Sequence, residues 1–433
     1  MMSRIKNNIR LGLRFVRLSW MYSLAGVLFH FLGRLVDRCR YFKIKLRIRR
    51  YPDAQKIKVI FLVSNISKWK TQSLYNAFKN SKRFRPIVLI TILDDERQWK
   101  YIDVRSEFER QKKFYEGQGC VCDFAYDPQV GELKSIVDLS PDIVFFQEPY
   151  YTFPGQCVKD IKKVALCCYV PYGVEYEQGF AFYKVWGFHN FLYLNVTWCE
   201  ERAKYLKRFI PWYTRAGTIK ALGHTIFDLL KDQDTIANGD YVIYAPHFSF
   251  PITDYERPST ISTFMWSGRL ILAFAQKHPE IKWAFKPHPR LRTELIDTGG
   301  WSKSEVDAYY QAWETIGTVC YTSDYIQMFR NSRVLITDSA SFLLEYPVTG
   351  HPVIHLKLSD EYPLYDPYVR PLLSTYYIAK NPEELKRQLK LVVEDGVDPN
   401  KDERITALHK LNMISEKSAA RNIVDYLSRQ IHI

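Results

Sequence analysis

Three short stretches of this 433-residue chain gather side chains suited to binding an anion. In Thr337-Asp338-Ser339-Ala340-Ser341 small polar residues form a turn, and Glu345 follows about one helical turn later. If the turn opens a helix, its N–H groups and the positive end of the helix dipole favour a phosphate. Ser339 and Ser341 add hydroxyl donors, and Glu345 can reach ribose hydroxyls. The plain alternative is an ordinary capped helix with Asp338 or Ser339 as N-cap. In Lys286-Pro287-His288-Pro289-Arg290, prolines on both sides restrict His288. A stiff loop would then hold Lys286, His288 and Arg290 near one another, as a diphosphate requires. Phosphate beside His288 favours the imidazolium, which could neutralise a leaving nucleotide. His247, after Tyr244-Ala245-Pro246, is placed either to touch phosphate or base or to be a satisfied structural histidine. His224 has a weaker case, and His351 belongs to the turn before the last strand.

Each of these stretches follows an apolar run that reads as a strand. Val59 to Val63, Pro86 to Ile92, Ile143 to Phe146 and Val164 to Val170 alternate with helix-like segments. A second series comprises Tyr241 to Tyr244, Lys282 to Phe285, Arg333 to Thr337 and Pro352 to Leu356. Such alternation favours right-handed βαβ crossovers and parallel sheets, whose ligands sit beyond the carboxyl ends of the strands. The expected fold class is α/β, with two Rossmann-like domains facing a cleft and a basic amphipathic N-terminal segment. The expected boundaries are 1–52 for that segment, 53–230 for an acceptor domain, 238–415 for a donor domain and 416–433 for a C-terminal helix, with a polar, turn-prone junction between the two domains.

Composition narrows the choices. A 47% hydrophobic and 15% aromatic chain is not disordered. Of its net charge of +14, +12 lies between Met1 and Arg50, where thirteen Lys and Arg face the single acid Asp37. The rest is nearly neutral, which argues against a nucleic-acid binder. Leu18 to Gly33 is apolar and aromatic but shorter and more polar than a spanning helix of about 20 residues. A helix lying in the membrane interface fits it, its bases meeting anionic lipid; the alternatives are a helix packed on the protein with a solvated basic face, or a spanning segment. No small-residue cleavage site follows, against a signal peptide. The eight cysteines include no Cys-Xaa-Xaa-Cys pair, against structural zinc, and Cys167 and Cys168 read as part of a buried strand in a reducing cytosol. No Gly-Xaa-Gly-Xaa-Xaa-Gly or Walker A motif occurs. Asp94-Asp95-Glu96 lacks the Asp-Xaa-Asp spacing of metal-dependent sugar transferases and reads as a solvated turn, so no metal is expected.

Taken in order, Tyr244-Ala245-Pro246-His247, Lys286-Pro287-His288-Pro289 and Thr337-Asp338-Ser339-Ala340-Ser341 resemble the Tyr-Ala-Pro, basic-Xaa-His-Pro and Thr-Asp-Tyr-Ser-Ser segments of the CDP-glycerol glycerophosphotransferases, the teichoic-acid-type primases and polymerases. Gly223-His224-Thr225-Ile226-Phe227-Asp228 stands where that family has Gly-Tyr-Pro-Arg-Xaa-Asp. The resemblance covers about half the chain and implies the GT-B fold, with a histidine matching His288 in donor handling. Together with the residue reading above, donor binding is expected of Lys286, Arg290, His247, Thr337, Asp338, Ser339, Ala340, Ser341 and Glu345. Two departures stand out. Ser339 and Ala340 replace Tyr and the first Ser, and Tyr172 of Pro171-Tyr172-Gly173-Val174-Glu175 replaces a histidine thought to act as base. A phenol ionising near pH ~10 is a poor base. Glu175, Glu177 or Glu148 could deprotonate an acceptor hydroxyl instead.

These readings point to a transferase at the cytoplasmic face of the membrane. It would move a polyol phosphate from a CDP-activated polyol, CDP-glycerol first, to a lipid-linked or glycan acceptor, with an anionic membrane surface as partner and no cofactor. The alternatives are a GT-B glycosyltransferase using a nucleotide sugar and a non-catalytic membrane-surface scaffold. Oligomeric state stays open.

Overall fold

In the computed structural model, residues 27–92, 103–127, 132–151, 153–176, 187–231, 239–250, 260–320, 325–359, 365–414 and 416–432 are described. The first sheet is built from Ile57–Val63 (β1), Phe84–Ile90 (β2) and Cys122–Phe124 (β3). After a short antiparallel pair, Tyr126–Asp127 (β4) and Glu132–Leu133 (β5), come Ile143–Phe146 (β6), Leu166–Tyr169 (β7), Leu194–Thr197 (β8) and Thr218–Ala221 (β9). Its order is β3-β2-β1-β6-β7-β8-β9, with every pairing parallel. The second sheet contains Tyr241–Ala245 (β10), Lys282–Phe285 (β11), Gly317–Val319 (β12), Ser332–Thr337 (β13), Val353–Leu356 (β14) and Tyr377–Ala379 (β15). It is also all parallel, in the order β12-β11-β10-β13-β14-β15.

Both sheets are doubly wound, and each reverses direction once, between β1 and β6 and between β10 and β13. The crevice that opens at such a reversal is where α/β proteins bind ligands. All four residues of β6 and of β7 are buried, because helices cover both faces of a parallel sheet. The expected strands are present. The sequence reading omitted β3, β8, β9, β12 and β15, which are only three or four residues long; most lie at or next to a sheet edge, where an apolar run is not required.

The segment expected at 1–52 is divided. Residues 27–49 form one helix, and residues 1–26 lie outside the described part. One face of the helix docks on the first domain, placing Tyr41, Ile44 and Ile48 in its core. Asp37 receives Lys162 Nζ at 2.6 Å and Arg40 at 2.9 Å, and the Tyr41 hydroxyl donates to the Phe191 carbonyl. Among the described residues no helix is long and apolar enough to cross a membrane.

At the other end, the helix Ala419–Ile431 returns to the first domain and buries Ala420, Ile423, Leu427 and Ile431 in the same core. Asp228 anchors it, its carboxylate accepting the N–H groups of Ala419 (2.8 Å) and Ala420 (2.9 Å) and the Ser418 hydroxyl (2.9 Å). Gly223 makes room there. Its φ is +94°, and a Cβ would lie 2.7 Å from that of Ala419. Nearby, Val174, Tyr176, Trp198 and Phe227 share one apolar cluster with Ile243, Leu335 and Leu343 of the second domain, so the two domains are joined by a packed seam.

Candidate functional site

At the carboxyl end of β10 the chain runs through Pro246 to His247, and at that of β13 through Asp338 to Ser339. Asp338 ties the two loops together. Its Oδ1 accepts the His247 N–H at 2.6 Å, and its Oδ2 accepts the N–H (2.6 Å) and hydroxyl (3.0 Å) of Thr263. Burial lifts its pKa to about 6, against the opposing pull of these donors. Thr337 braces the same turn, donating to the Ala245 carbonyl (2.6 Å) and accepting the Ser339 N–H (2.9 Å). Thr337 and Asp338 are therefore buried supports, while Ser339, Ala340 and Ser341 line a cleft of about 350 Å³ between the domains.

The helix behind this turn is shorter than expected. Phe342–Glu345 is one turn, followed by a 3-10 turn at Tyr346–Thr349. Its dipole is correspondingly small, so an anion placed here would be met by the turn itself rather than by the helix. Ser339, Phe342 and Leu343 direct their N–H groups into the turn, which leaves those of Ala340 and Ser341 as its remaining backbone donors among the described residues. Glu345 does not line the cleft. It is buried, accepts the Tyr325 hydroxyl, and has its pKa raised by burial, with Lys70 packed 4.1 Å from the same ring.

The loop after β11 also differs from the expectation. Of Lys286, His288 and Arg290, only His288 borders the cleft. Lys286 is buried, its Nζ 5.8 Å from the Tyr325 ring, and burial lowers its pKa. Arg290 turns outward to pair with Glu294 and lies 4.4 Å over the Phe248 ring. The two proline-flanked cations do not converge with the histidine.

His247 and His288 do meet, with ring centroids 5.1 Å apart. Burial, followed by the charges of His247, Lys286 and Arg290, brings the pKa of His288 down to about 3; burial and then Arg290 bring that of His247 to about 4. Without a ligand both rings are neutral at pH ~7; the imidazolium expected for His288 belongs to the state with phosphate beside it. Nδ1 of His288 accepts the Arg290 N–H at 3.1 Å, and Nδ1 of His247 accepts the Ser249 N–H at 3.3 Å. A neutral imidazole that accepts at Nδ1 carries its proton at Nε2, which makes His288 a neutral Nε2–H donor, and His247 one as well when the Ser249 hydroxyl, 2.8 Å from the same Nδ1, donates to it.

From the first domain, the segment after β7 supplies Tyr172, Gly173, Val174, Glu175 and Tyr176 to the opposite wall. Burial, then Glu148 and Glu175, push the Tyr172 phenol up to about 12. Tyr172 is thus a hydroxyl in the cleft, further from acting as a base than an exposed tyrosine. Glu175 lines the cleft, 3.5 Å from Arg202 Nη2. Glu148 lies outside it, buried with Lys68, Ser64 and the Tyr151 hydroxyl (3.1 Å). Glu177 and Asp94-Asp95-Glu96 lie outside the described residues. His224 caps the helix Thr225–Leu230 and pairs with the Pro171 carbonyl at 2.9 Å, a structural position.

Sequence reasoning missed two groups. Arg202 is buried, lines the cleft and bridges the domains through Asp366 at 2.9 Å. The Tyr176 hydroxyl donates to the Ala340 carbonyl, holding the Ser339–Ser341 turn from the opposite domain. No local motif marks either one. Among the described residues no group of three His, Cys, Asp or Glu is placed to hold a metal ion.

No protein-family model and no curated protein sequence matches the chain. Solved structures do resemble it. A variant of the wall teichoic acid polymerase TagF aligns over 94% of this chain and 97% of its own, with a TM-score of 0.53 and 12% identity. A TagF variant soaked with CDPG gives a TM-score of 0.52 at 13% identity, over 94% of this chain and 97% of its own. UDP-GlcNAc 2-epimerase from Neisseria meningitidis, bound to UDP-GlcNAc, covers 87% of this chain and 100% of its own, with a TM-score of 0.51 and 14% identity. The likeness is one of architecture: two parallel-sheet, Rossmann-like domains in the GT-B arrangement.

Proposed function

We propose that the protein is a GT-B transferase that moves a polyol phosphate, glycerol phosphate from CDP-glycerol first, to a hydroxyl of a lipid-linked or glycan acceptor at the cytoplasmic face of a membrane. The observation that carries this reading is the meeting of His247, His288 and the Ser339–Ser341 turn on one wall of the cleft, opposite Glu175 and Tyr172. The resemblance of the three motif segments to the CDP-glycerol glycerophosphotransferases supports the donor.

In this reading the acceptor oxygen attacks the distal phosphorus of the donor. A new P–O bond forms, the bond to the bridging oxygen breaks, and CMP leaves with that electron pair. The acceptor proton passes to Glu175, whose carboxylate borders the cleft. Charge grows on the departing phosphate. The Nε2–H groups of His247 and His288, the Ser339 and Ser341 hydroxyls and the Ala340 and Ser341 N–H groups are the donors that would meet it. Lys286 and Arg290 contribute field rather than contact.

Calorimetric titration with CDP-glycerol, CDP-ribitol, CMP and UDP-GlcNAc, on wild type and on His288→Ala, tests the proposal. Selective cytidine binding, with transfer reduced about 10²–10³-fold by the substitution, is the expected result. Wild-type turnover in His288→Ala would remove that residue from the mechanism. The likeness to an epimerase bound to UDP-GlcNAc favours one second reading, a glycosyltransferase using a nucleotide sugar, and a uridine preference in the same panel would select it. Absence of all nucleotide binding would leave a non-catalytic scaffold.

A further inference from the structure

The helix at residues 27–49 has two apolar faces, and the other described residues cover only one. Tyr41, Ile44 and Ile48 are in the core, while Leu28, Leu32, Leu35, Val36, Cys39 and Phe42 are exposed. At about 3.6 residues per turn, these six positions fall on the side of the helix opposite the docked residues. A helix resting on a globular body ordinarily turns charged and polar residues outward. Here Phe29 is 76% exposed, Leu28 56% and Phe42 55%.

A second element extends the surface. Trp212, 60% exposed, stands in the short turn after the helix Glu200–Phe209, and Phe209 is exposed beside it. Phe31 meets the Trp212 ring edge-on at 5.8 Å, and Arg38 bonds to the carbonyls of Trp212 and Arg215, so both elements belong to one continuous patch. An apolar patch of this kind marks a contact surface.

Charge selects the occupant. Asp37 is the only acid of this helix and is buried, so the charge the helix exposes is positive: Lys43 is exposed, and Arg40 and Arg47 stay partly exposed in ion pairs with Asp37 and Asp142. Arg208 and Lys204 are exposed on the helix that leads to Trp212. A second copy would bring the same positive charge against itself. A bilayer containing anionic lipid offers the complement, with headgroups for the bases and an interfacial zone for Trp, Phe and Leu.

We infer that the outward face of residues 27–42, together with Phe209 and Trp212, is a two-element docking surface for an anionic membrane. The inference builds on the peripheral placement proposed above and is independent of the donor and of the chemistry in the cleft.

Cys39 lies within the face and allows a direct test. The full chain, with Cys122 and Cys157 replaced by Ser, is labelled at Cys39 with NBD and mixed with phosphatidylcholine vesicles containing or lacking about a third phosphatidylglycerol. The expected result is a blue-shifted, brighter NBD signal with anionic vesicles only, reduced by added salt. In co-sedimentation of unlabelled full-length protein, Trp212→Ala and the pair Leu32→Gln/Val36→Gln each weaken partitioning about tenfold while leaving nucleotide binding unchanged. Binding that ignores both variants would place attachment in residues 1–26 alone and overturn the inference. A signal already blue-shifted without lipid would overturn it too, showing the face covered by residues 1–26 or by a second copy, which gel filtration distinguishes. Failure of the nucleotide titrations would leave the vesicle result standing.

Discussion

Asp338 shows how one side chain can shape a site without facing it. Its carboxylate takes two N–H groups and a hydroxyl from the loops carrying His247 and Thr263. An amide can accept on one side only, so Asp338→Asn leaves a buried donor unmatched. The expected loss is about 1–3 kcal/mol in denaturant unfolding, with weaker donor binding as the His247 loop loosens. His288 makes a different prediction. With its pKa at about 3, its imidazole stays neutral across pH 5 to 8 in the unliganded protein, which ¹³C or ¹⁵N NMR of the ring resolves directly. A titration near pH ~6.5 would show a more open cleft than the structure has.

The short elements decide how the two domains meet. The helix Ala419–Ile431 leaves the second domain and docks on the first through Asp228 and a stripe of Ala420, Ile423, Leu427 and Ile431. Gly223 lies against that contact, with no room for a side chain. Gly223→Ala is expected to cost about 1–3 kcal/mol, because it imposes both a left-handed φ and a 2.7 Å approach to Ala419. The measurement is the shift in unfolding midpoint, and an unshifted midpoint would mean that the helix docks more loosely. The Ser339–Ser341 turn, in contrast, stands in front of a single helical turn. If the proposed donor phosphate binds there, its affinity should depend on Ser339 and Ser341 more than on anything along the following helix.

Across the whole molecule, stability should fall on acidification. Burial holds His189 and His355 at about 3 and His224 at about 4, whereas an unfolded histidine titrates near ~6.5. Groups depressed in this way contribute stability above the unfolded pKa that is lost as pH drops through the window down to the folded value. At pH 5 the loss is about 2 kcal/mol for each of the three. Asp338 acts in the opposite sense: its pKa is raised to about 6, so its contribution is greatest at low pH and is lost as pH rises through that value. Three groups outweigh one. The thermal midpoint should drop by about 5 °C between pH 7 and pH 5 in calorimetry; a flat profile would contradict the burial of these rings.

The sequence by itself carried the architecture, because parallel strands buried on both faces must be written as apolar runs, and β1, β2, β6, β7, β10, β11, β13 and β14 are written that way. It also located the Ser339–Ser341 turn and His288, since proline restraint and small polar residues at strand ends are local signals. The edge strands were not legible, because a strand with one neighbour needs no such run. Nor were the partners of the site. Whether Lys286 faces the cleft or lies under Tyr325, whether Glu345 meets a ribose or a tyrosine, and which arginine bridges the domains depend on residues more than a hundred positions apart in the case of Arg202 and Asp366. The same holds for the helix at 27–49. Its sequence declared a basic, apolar segment, but only packing decided which apolar face docks on the first domain and which stays exposed among the described residues.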